Sequence, residues 1–167
     1  MKSIAEFSGF APEGFPYIVL LNLYTGCRNG YVGVDSSHPC YKKAYSVIDD
    51  GNLSNSVHGG LTYSGFLNGE ILGADNIWYF GFDCNHLDDA PISVNEFIDI
   101  VRKHMGKKDA EYLITRYKMM FATNQHFFTM IISESNTKTL DFVRGNCFDL
   151  IKELAKMQSS SEYQKTL

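Results

Sequence analysis

The sequence contains no long hydrophobic run, which excludes a membrane-spanning helix. Its apolar stretches, of which residues 17–21 (YIVLL) are typical, are far shorter than the roughly 20 residues that cross a bilayer. The first ten residues, MKSIAEFSGF, also lack the apolar centre of a signal peptide. We therefore expect a protein of the cytoplasm with no membrane partner.

Cysteine is scarce and has neither the spacing of a zinc site nor that of a disulfide framework. No CxxC pair occurs, and the four cysteines are scattered along the chain: Cys27, Cys40, Cys84 and Cys147. Small secreted domains use many cysteines as disulfide staples, whereas isolated cysteines in a reducing compartment stay reduced. We therefore expect free thiols.

Charge of either sign is also in short supply. Charged residues make up 20% of the chain, and 15 lysines and arginines against 19 acidic residues give a formal net charge of -4. Long nucleic acid is bound mainly through many basic side chains that displace counterions. This composition argues against such a partner, although a few local donors are sufficient for a small anionic ligand.

The chain does contain enough apolar material for one core. Of its 167 residues 44% are hydrophobic, which suits a single globular domain, and we assign that domain to residues 1–157. Segments rich in β-branched and aromatic residues predict strands at 17–24, 31–34, 61–63 (with Val57) and 77–82. The last segment has no polar alternation and should be a central strand, whereas 49–56 should be a loop.

Helical periodicity dominates the second half of the chain. Ser93 and Glu96 fit a capping box for a helix that ends at Gly106, and Asp109 can cap a second helix. The pattern also predicts a short strand at 127–132, an amphipathic helix at 137–157 and a flexible polar tail at 158–167. The predicted fold class is α+β, with a mainly antiparallel sheet packed by helices from the C-terminal half.

Polar chemistry is concentrated first in residues 56–65 (SVHGGLTYSG). Here His58 precedes Gly59 and Gly60, whose backbone N–H groups can form a concave site for phosphate or carboxylate, with the Thr62 hydroxyl nearby. The structural alternative is a tight turn, because glycine pairs are common in turns.

The second polar stretch, residues 78–89 (WYFGFDCNHLDD), runs from an apolar strand into Asp83, His86, Asp88 and Asp89. Ionisable groups in the loop at a strand's end are a common arrangement for binding sites. The structural alternative is that Asp83 only stabilises the turn and that the later aspartates belong to a solvated loop. A site built from both stretches requires that they lie together in the fold.

Two kinds of site are compatible with these residues. A ligand-binding site would use an arginine fork for phosphate, aromatic faces for a base, and an aspartate and histidines for orientation. Its candidate residues are Arg28, Tyr31, His38, His58, Gly59, Gly60, Thr62, Tyr63, Trp78, Asp83 and His86. A metal site for zinc, manganese or iron would instead use His58, Asp83 and His86, with one of Asp88 or Asp89, although no tight motif such as HExxH is present.

The order of these motifs resembles a family of small phage and prophage proteins that has no assigned chemistry. The likeness is carried by Gly-Tyr-Val before His-Pro (30–39), His-Gly-Gly-Leu-Thr (58–62), the aromatic pair that leads through Gly-Phe-Asp to His86 (78–86), and residues 137–157. Residues 92–135 lie outside the pattern and are expected to be a helical insertion. The resemblance implies an accessory protein in the cytoplasm of the host cell, for which countering host immunity is a suitable role.

Three functions follow as hypotheses. The leading one is a non-enzymatic protein, without a cofactor, that sequesters a small phosphate-bearing ligand such as a nucleotide immune second messenger. A second subunit of a homo-oligomer can complete the pocket. The alternative is a phosphodiesterase with a divalent metal on His58, Asp83 and His86. The third is an inhibitor that docks on a host defence enzyme through the helices between residues 93 and 121.

Overall fold

An antiparallel sheet organises the chain. The computed structural model describes residues 3–49, 51–67, 76–124 and 136–165. Its strands are β1 (Ser3–Phe10), β2 (Pro16–Asn22), β3 (Arg28–Val34), β4 (Tyr63–Gly65) and β5 (Trp78–Asp83). They form one five-stranded sheet in the order β1-β2-β3-β5-β4, and every neighbouring pair is antiparallel.

Within the residues that the structure describes, two single-turn helices lie between β3 and β4, and three longer helices follow β5. They are α1 (Tyr45–Ile48), α2 (Asn52–Asn55), α3 (Val94–His104), α4 (Lys107–Thr123) and α5 (Leu140–Lys165). Over the described residues, none of these helices combines the length and the apolar character needed to cross a bilayer. The α+β fold class predicted from the sequence is confirmed.

The main core lies between one face of the sheet and α5. Alternate residues of the central strands point to this face, where Val19, Val32 and Phe80 are buried. From α5, Val143 and Leu150 join the same buried cluster. The apolar stripe predicted for residues 137–157 therefore covers the sheet.

α3 and α4 form a second buried cluster with the start of β1 and the end of β2. Phe97 of α3 stacks on Tyr117 of α4 with ring centroids 3.7 Å apart, and Leu21 of β2 belongs to the same cluster. A smaller cluster around Ile18 and Tyr79 lies on the opposite face of the sheet. All four cysteines are free, as predicted, and all four are buried.

The ends of several elements differ from the sequence prediction. α4 begins at Lys107 with Gly106 as its N-cap, so the prediction that Asp109 caps this helix is wrong. Residues 52–55 of the predicted loop form α2, and α5 continues to Lys165 through most of the predicted tail. The strand predicted at 127–132 lies outside the described residues.

Antiparallel pairing determines which loops lie at the same end of the strands. β3 and β5 pair from Asn29 opposite Asp83 to Val34 opposite Trp78. The turn that follows β5 therefore lies at the end of the sheet where β3 begins. The loop that follows β3 lies at the opposite end of the strands, about 20 Å away for a strand of this length.

Candidate metal centre

The turn after β5 folds around the side chain of Asp89. The backbone N–H of His86 donates to Oδ2 of Asp89 at 2.9 Å, and the N–H of Asp89 donates to the carbonyl of His86 at 3.0 Å. The N–H of Cys84 donates to the carbonyl of Arg28 at 3.0 Å and attaches the turn to β3. As a result, only 2% of the Asp89 side chain is exposed.

Two histidines bind this carboxylate, and we refer to His58, His86 and Asp89 as the histidine–aspartate cluster. Nε2 of His58 lies 2.9 Å from both carboxylate oxygens, and Nδ1 of His86 lies 3.0 Å from Oδ2. The imidazole rings meet edge to face with centroids 5.1 Å apart. The side chains of His58 and His86 are 27% and 38% exposed, so the cluster is buried at the carboxylate and open at the imidazoles.

The glycine pair allows the two polar stretches to meet. Gly59 and Gly60 have φ angles of +68° and +87°, in the left-handed region that favours glycine. A Cβ at position 59 would overlap the imidazole ring of His86 at Cε1. Residues 56–65 and 78–89 are therefore neighbours, and the group that approaches the Gly59 backbone is an imidazole.

The first turns of α5 hold His58 from the other side. Oδ1 of Asn146 accepts the backbone N–H of His58 at 2.7 Å, and Nδ2 of Asn146 donates to the carbonyl of Phe142 at 3.0 Å. The Phe142 ring packs edge to face against the His58 imidazole, with centroids 5.7 Å apart. Because Phe142 and Asn146 are four residues apart, both lie on one face of the helix.

Lys138 adds a positive charge beside Asp89. Its Nζ is 3.5 Å from Oδ1 of Asp89 and 5.3 Å from the centroid of the Phe142 ring. A parallel bridge between Ala90 and Thr137 aligns the two segments that carry these charges. The histidine–aspartate cluster and the neighbouring Lys138 therefore come from three segments that are far apart in the sequence.

Asp89 is held in its ionised form. Burial raises the pKa of this carboxyl, but hydrogen bonds from the His86 amide and from the imidazoles of His58 and His86 lower it by more. The resulting pKa lies below the ordinary value of 3.8. A buried carboxylate that stays charged attracts a cation more strongly than an exposed one does.

The donor set of the histidine–aspartate cluster fits a transition-metal ion. Its members offer one ligand atom each, and these atoms lie within 4.8 Å of one another. Metal–ligand bonds of about 2.0–2.2 Å place neighbouring ligand atoms of a tetrahedral site about 3.3 Å apart. The separations of 2.9 and 3.0 Å to Asp89 are close to this spacing. Two imidazoles and one carboxylate suit zinc, manganese or iron and leave positions for water or a ligand.

Asp83 lies apart from the histidine–aspartate cluster. Side chains alternate between the faces of a strand, and Asp83 follows the face of Tyr79, whereas Phe82 points towards α5. Oδ1 of Asp83 accepts the backbone N–H of Asn85 at 3.2 Å. Asp83 thus stabilises the turn, which is the alternative to a binding role that the sequence left open. Of the carboxylates that the metal hypothesis included, Asp89 is the one grouped with both histidines.

Arg28 is buried in ion pairs. Its Nε and Nη2 donate to the carboxylate of Glu6 at 2.7 and 2.8 Å, and Nη2 also donates to Glu96 at 2.5 Å. Burial alone would lower the pKa of Arg28, but these carboxylates raise it. Nη1 donates to the carbonyl of Lys138 at 3.0 Å, so Arg28 contributes to the cluster through the backbone of Lys138.

The residues predicted to stack on a base lie on different surfaces. Tyr31 and Tyr63 meet edge to face on the side of the sheet opposite α5, with centroids 5.6 Å apart. Trp78 packs on the α5 side, and its Nε1 donates to a main-chain carbonyl at 2.9 Å. Thr62 is exposed, and its backbone N–H bonds to β5.

His38 lies in the loop after β3, at the opposite end of the strands from the histidine–aspartate cluster. Its Nδ1 accepts the backbone N–H of Cys40 at 3.1 Å, so its Nε2 carries the proton and donates to the carbonyl of Leu154 at 3.0 Å. A cavity of about 280 Å³, lined also by Phe15 and Asp35, lies beside the ring. The length of the strands therefore separates His38 from the histidine–aspartate cluster.

Reasoning from the sequence does not identify Lys138, Phe142 and Asn146 as site residues. They lie at the start of a predicted helix, where a lysine and an asparagine fit a solvated surface and a phenylalanine fits ordinary packing. Only the packing of α5 beside residue 58 brings them to the cluster. The helices α3 and α4, predicted as a docking surface, bury Phe97 and Tyr117 in the core.

Comparisons of the chain with protein-family models, with curated proteins and with solved structures found no match. The resemblance to phage proteins stays a prediction. Function is therefore inferred from the geometry of the histidine–aspartate cluster.

Proposed function

We propose that this protein binds a divalent transition-metal ion through His58, His86 and Asp89 and uses the ion to hold the phosphate group of a small ligand. One observation carries this proposal. Two imidazole nitrogens and a buried carboxylate converge within 4.8 Å at a place where the imidazoles are exposed. Such a set fixes an ion on its protein side and leaves the outer positions to water or ligand.

A phosphate bound to a metal ion is either held intact or hydrolysed. The ion polarises the phosphoryl oxygens and lowers the pKa of bound water, so one site supports sequestration or phosphodiester cleavage. Sequestration, the leading hypothesis from the sequence, requires binding alone. Cleavage is the second candidate, because exposure on the imidazole side leaves room for water next to the ion. Nucleotide second messengers are proposed as ligands on the resemblance alone.

Titration with Co²⁺, followed by visible absorption and calorimetry, tests the metal site. We expect about one ion per chain, and an affinity at least about a hundredfold lower in His86→Asn and in Asp89→Asn, because each variant lacks one ligand atom. Asp83→Asn and His104→Asn are matched controls that change the same residue types outside the cluster. Both controls should bind Co²⁺ like the wild-type protein.

An unchanged affinity in His86→Asn, or an equal loss in Asp83→Asn, would contradict the site. Circular dichroism of each variant separates loss of a ligand atom from loss of folding. Incubation of the Co²⁺-loaded protein with bis(4-nitrophenyl) phosphate then distinguishes the two candidates. Release of nitrophenolate that chelation abolishes indicates cleavage, whereas binding of methyl phosphate without turnover indicates sequestration.

A further inference from the structure

Lys138 and a metal ion at the histidine–aspartate cluster would share one carboxylate. Nζ of Lys138 is 3.5 Å from Oδ1 of Asp89, and the two side chains are 15% and 2% exposed. Water and salt screen such a pair less than they screen charges on an open surface. Lys138 and a bound ion would therefore affect each other strongly.

The backbone around Lys138 keeps its ammonium group close to the cluster. Nη1 of Arg28 donates to the carbonyl of Lys138 at 3.0 Å. The N–H of Ala90 donates to the carbonyl of Asn136 at 3.1 Å, next to the parallel bridge between Ala90 and Thr137. An ion that takes Asp89 can turn the Lys138 side chain aside, but the main chain holds Lys138 beside the ion.

We propose that Lys138 pairs with Asp89 in the metal-free protein and that, once an ion takes Asp89, Lys138 and the ion bind one oxyanion between them. This inference rests on the metal site proposed above. It names the ligand group as a phosphate, because the oxygens of a tetrahedral oxyanion can contact two cations at once. Lys138 is then a specificity-determining residue for the ligand.

Removal of the Lys138 charge should change the affinity for the metal and the affinity for the oxyanion in opposite directions. An ammonium group and a divalent ion repel each other, so removal of the ammonium charge raises the affinity for the metal. An oxyanion between them is attracted by both, so the same change lowers the affinity for the oxyanion. Damage to the fold would lower both affinities. Opposite changes therefore identify the role of Lys138.

The test compares Lys138→Met with Lys152→Met. Methionine keeps an unbranched stem over the Phe142 ring and removes the charge. Lys152 lies on the surface of α5, where it pairs with Asp149 at 2.8 Å, and serves as the matched control. In Lys138→Met the Co²⁺ affinity should rise about tenfold, and the affinity of the Co²⁺-loaded protein for methyl phosphate should fall at least about tenfold. Lys152→Met should change both by less than about twofold.

The proposal is overturned if Lys138→Met leaves the Co²⁺ affinity unchanged or lowers it, or if the loaded variant binds methyl phosphate as the wild-type protein does. Lys138→Gln provides a second variant if the methionine variant does not fold. Failure of the wild-type protein to bind Co²⁺ would refute the metal site itself. That result differs from wild-type metal binding without an effect of Lys138, which refutes only the inference about Lys138.

Discussion

Gly59 is the residue at which the absence of a side chain decides the geometry of the histidine–aspartate cluster. A glycine pair in the sequence predicts a close approach to the backbone, and the structure shows such an approach. The group that approaches is the ring of His86, which the bare Cα of Gly59 admits. Position 59 therefore controls whether His86 reaches Asp89.

Gly59→Ala should weaken Co²⁺ binding at least about tenfold and lower the free energy of unfolding by more than Gly14→Ala does. Gly14 is the matched control, because its φ is +87° and a Cβ there meets nothing within 4 Å. An L-residue at positive φ costs about 1 kcal/mol at either position. The difference between the variants measures the displacement of His86, and urea denaturation with Co²⁺ titration provides both quantities.

Equal losses of stability in the two glycine variants, with Co²⁺ affinity unchanged in Gly59→Ala, would mean that the His86 ring rearranges without cost. The position of Gly59 in the cluster would then be incidental.

The chemistry of the cluster could be predicted at the residue scale, but its carboxylate could not be chosen. The sequence indicates His58 and His86 because imidazoles stand beside glycines and at a strand's end. Asp83, Asp88 and Asp89 all follow that strand, and their spacing alone does not rank them. Strand alternation turns Asp83 to the face of Tyr79, and the turn at 86–89 folds back on Asp89.

At the scale of elements, β2, β3 and β5 could be predicted because apolar residues run through them. β1 is absent from the prediction because its burial is mixed and its alternation is interrupted. A shift of register between Ala5 and Phe7 inserts one extra residue, Glu6, into the strand. A regular period-two pattern cannot describe a strand with such a bulge.

The same bulge places Glu6 against Arg28 and links three elements. The sequence predicts Arg28 as a ligand-binding residue and Glu96 as the second half of a capping box. In the structure Ser93 does accept the N–H of Glu96 at 3.1 Å, but the Glu96 carboxylate binds Arg28. Arg28 therefore joins β1, β3 and α3, a role that depends on contacts distant in sequence.

Glu6→Gln should lower the free energy of unfolding by about 3 kcal/mol, and Glu96→Gln by less than about 1 kcal/mol. Each change removes one carboxylate charge from the same guanidinium of Arg28. The side chain of Glu6 is 6% exposed and that of Glu96 is 42% exposed, so water compensates the loss only at Glu96. Urea denaturation of both variants measures the difference. Similar losses would mean that burial does not determine the strength of these ion pairs.

At the scale of the whole molecule, α5 contacts loops at both ends of the strands. At one end the Asn146 side chain accepts a hydrogen bond from the backbone of His58, and at the other end the carbonyl of Leu154 accepts a hydrogen bond from the His38 ring. These α5 residues are about 12 Å apart along the helix axis. Helical periodicity predicts α5 itself, whereas its contacts depend on the order of the strands, which no local pattern specifies.

His38 should make the protein less stable as the pH falls below its ordinary pKa of 6.5. Burial lowers the pKa of His38 by more than the Leu154 carbonyl and Asp35 raise it, and Lys43 lowers it further. The folded protein therefore takes up this proton less readily than the unfolded chain. Stability is complete above pH 6.5 and is lost as the pH falls from there through the lower pKa of the folded state.

Urea denaturation between about pH 7.5 and about pH 5.5 measures this loss, which cannot exceed about 1.4 kcal/mol per pH unit for one proton. His38→Gln should be less stable throughout and should show a flatter dependence on pH than the wild-type protein. NMR titration of the His38 ring in the wild-type protein gives its pKa directly. The pKa of Asp89 is also lowered, so this residue causes a separate loss of stability as the pH falls to and below its ordinary pKa of 3.8, outside the tested range. A wild-type slope in His38→Gln, or a His38 pKa at or above 6.5, would contradict the role of His38 because burial should favour the neutral ring.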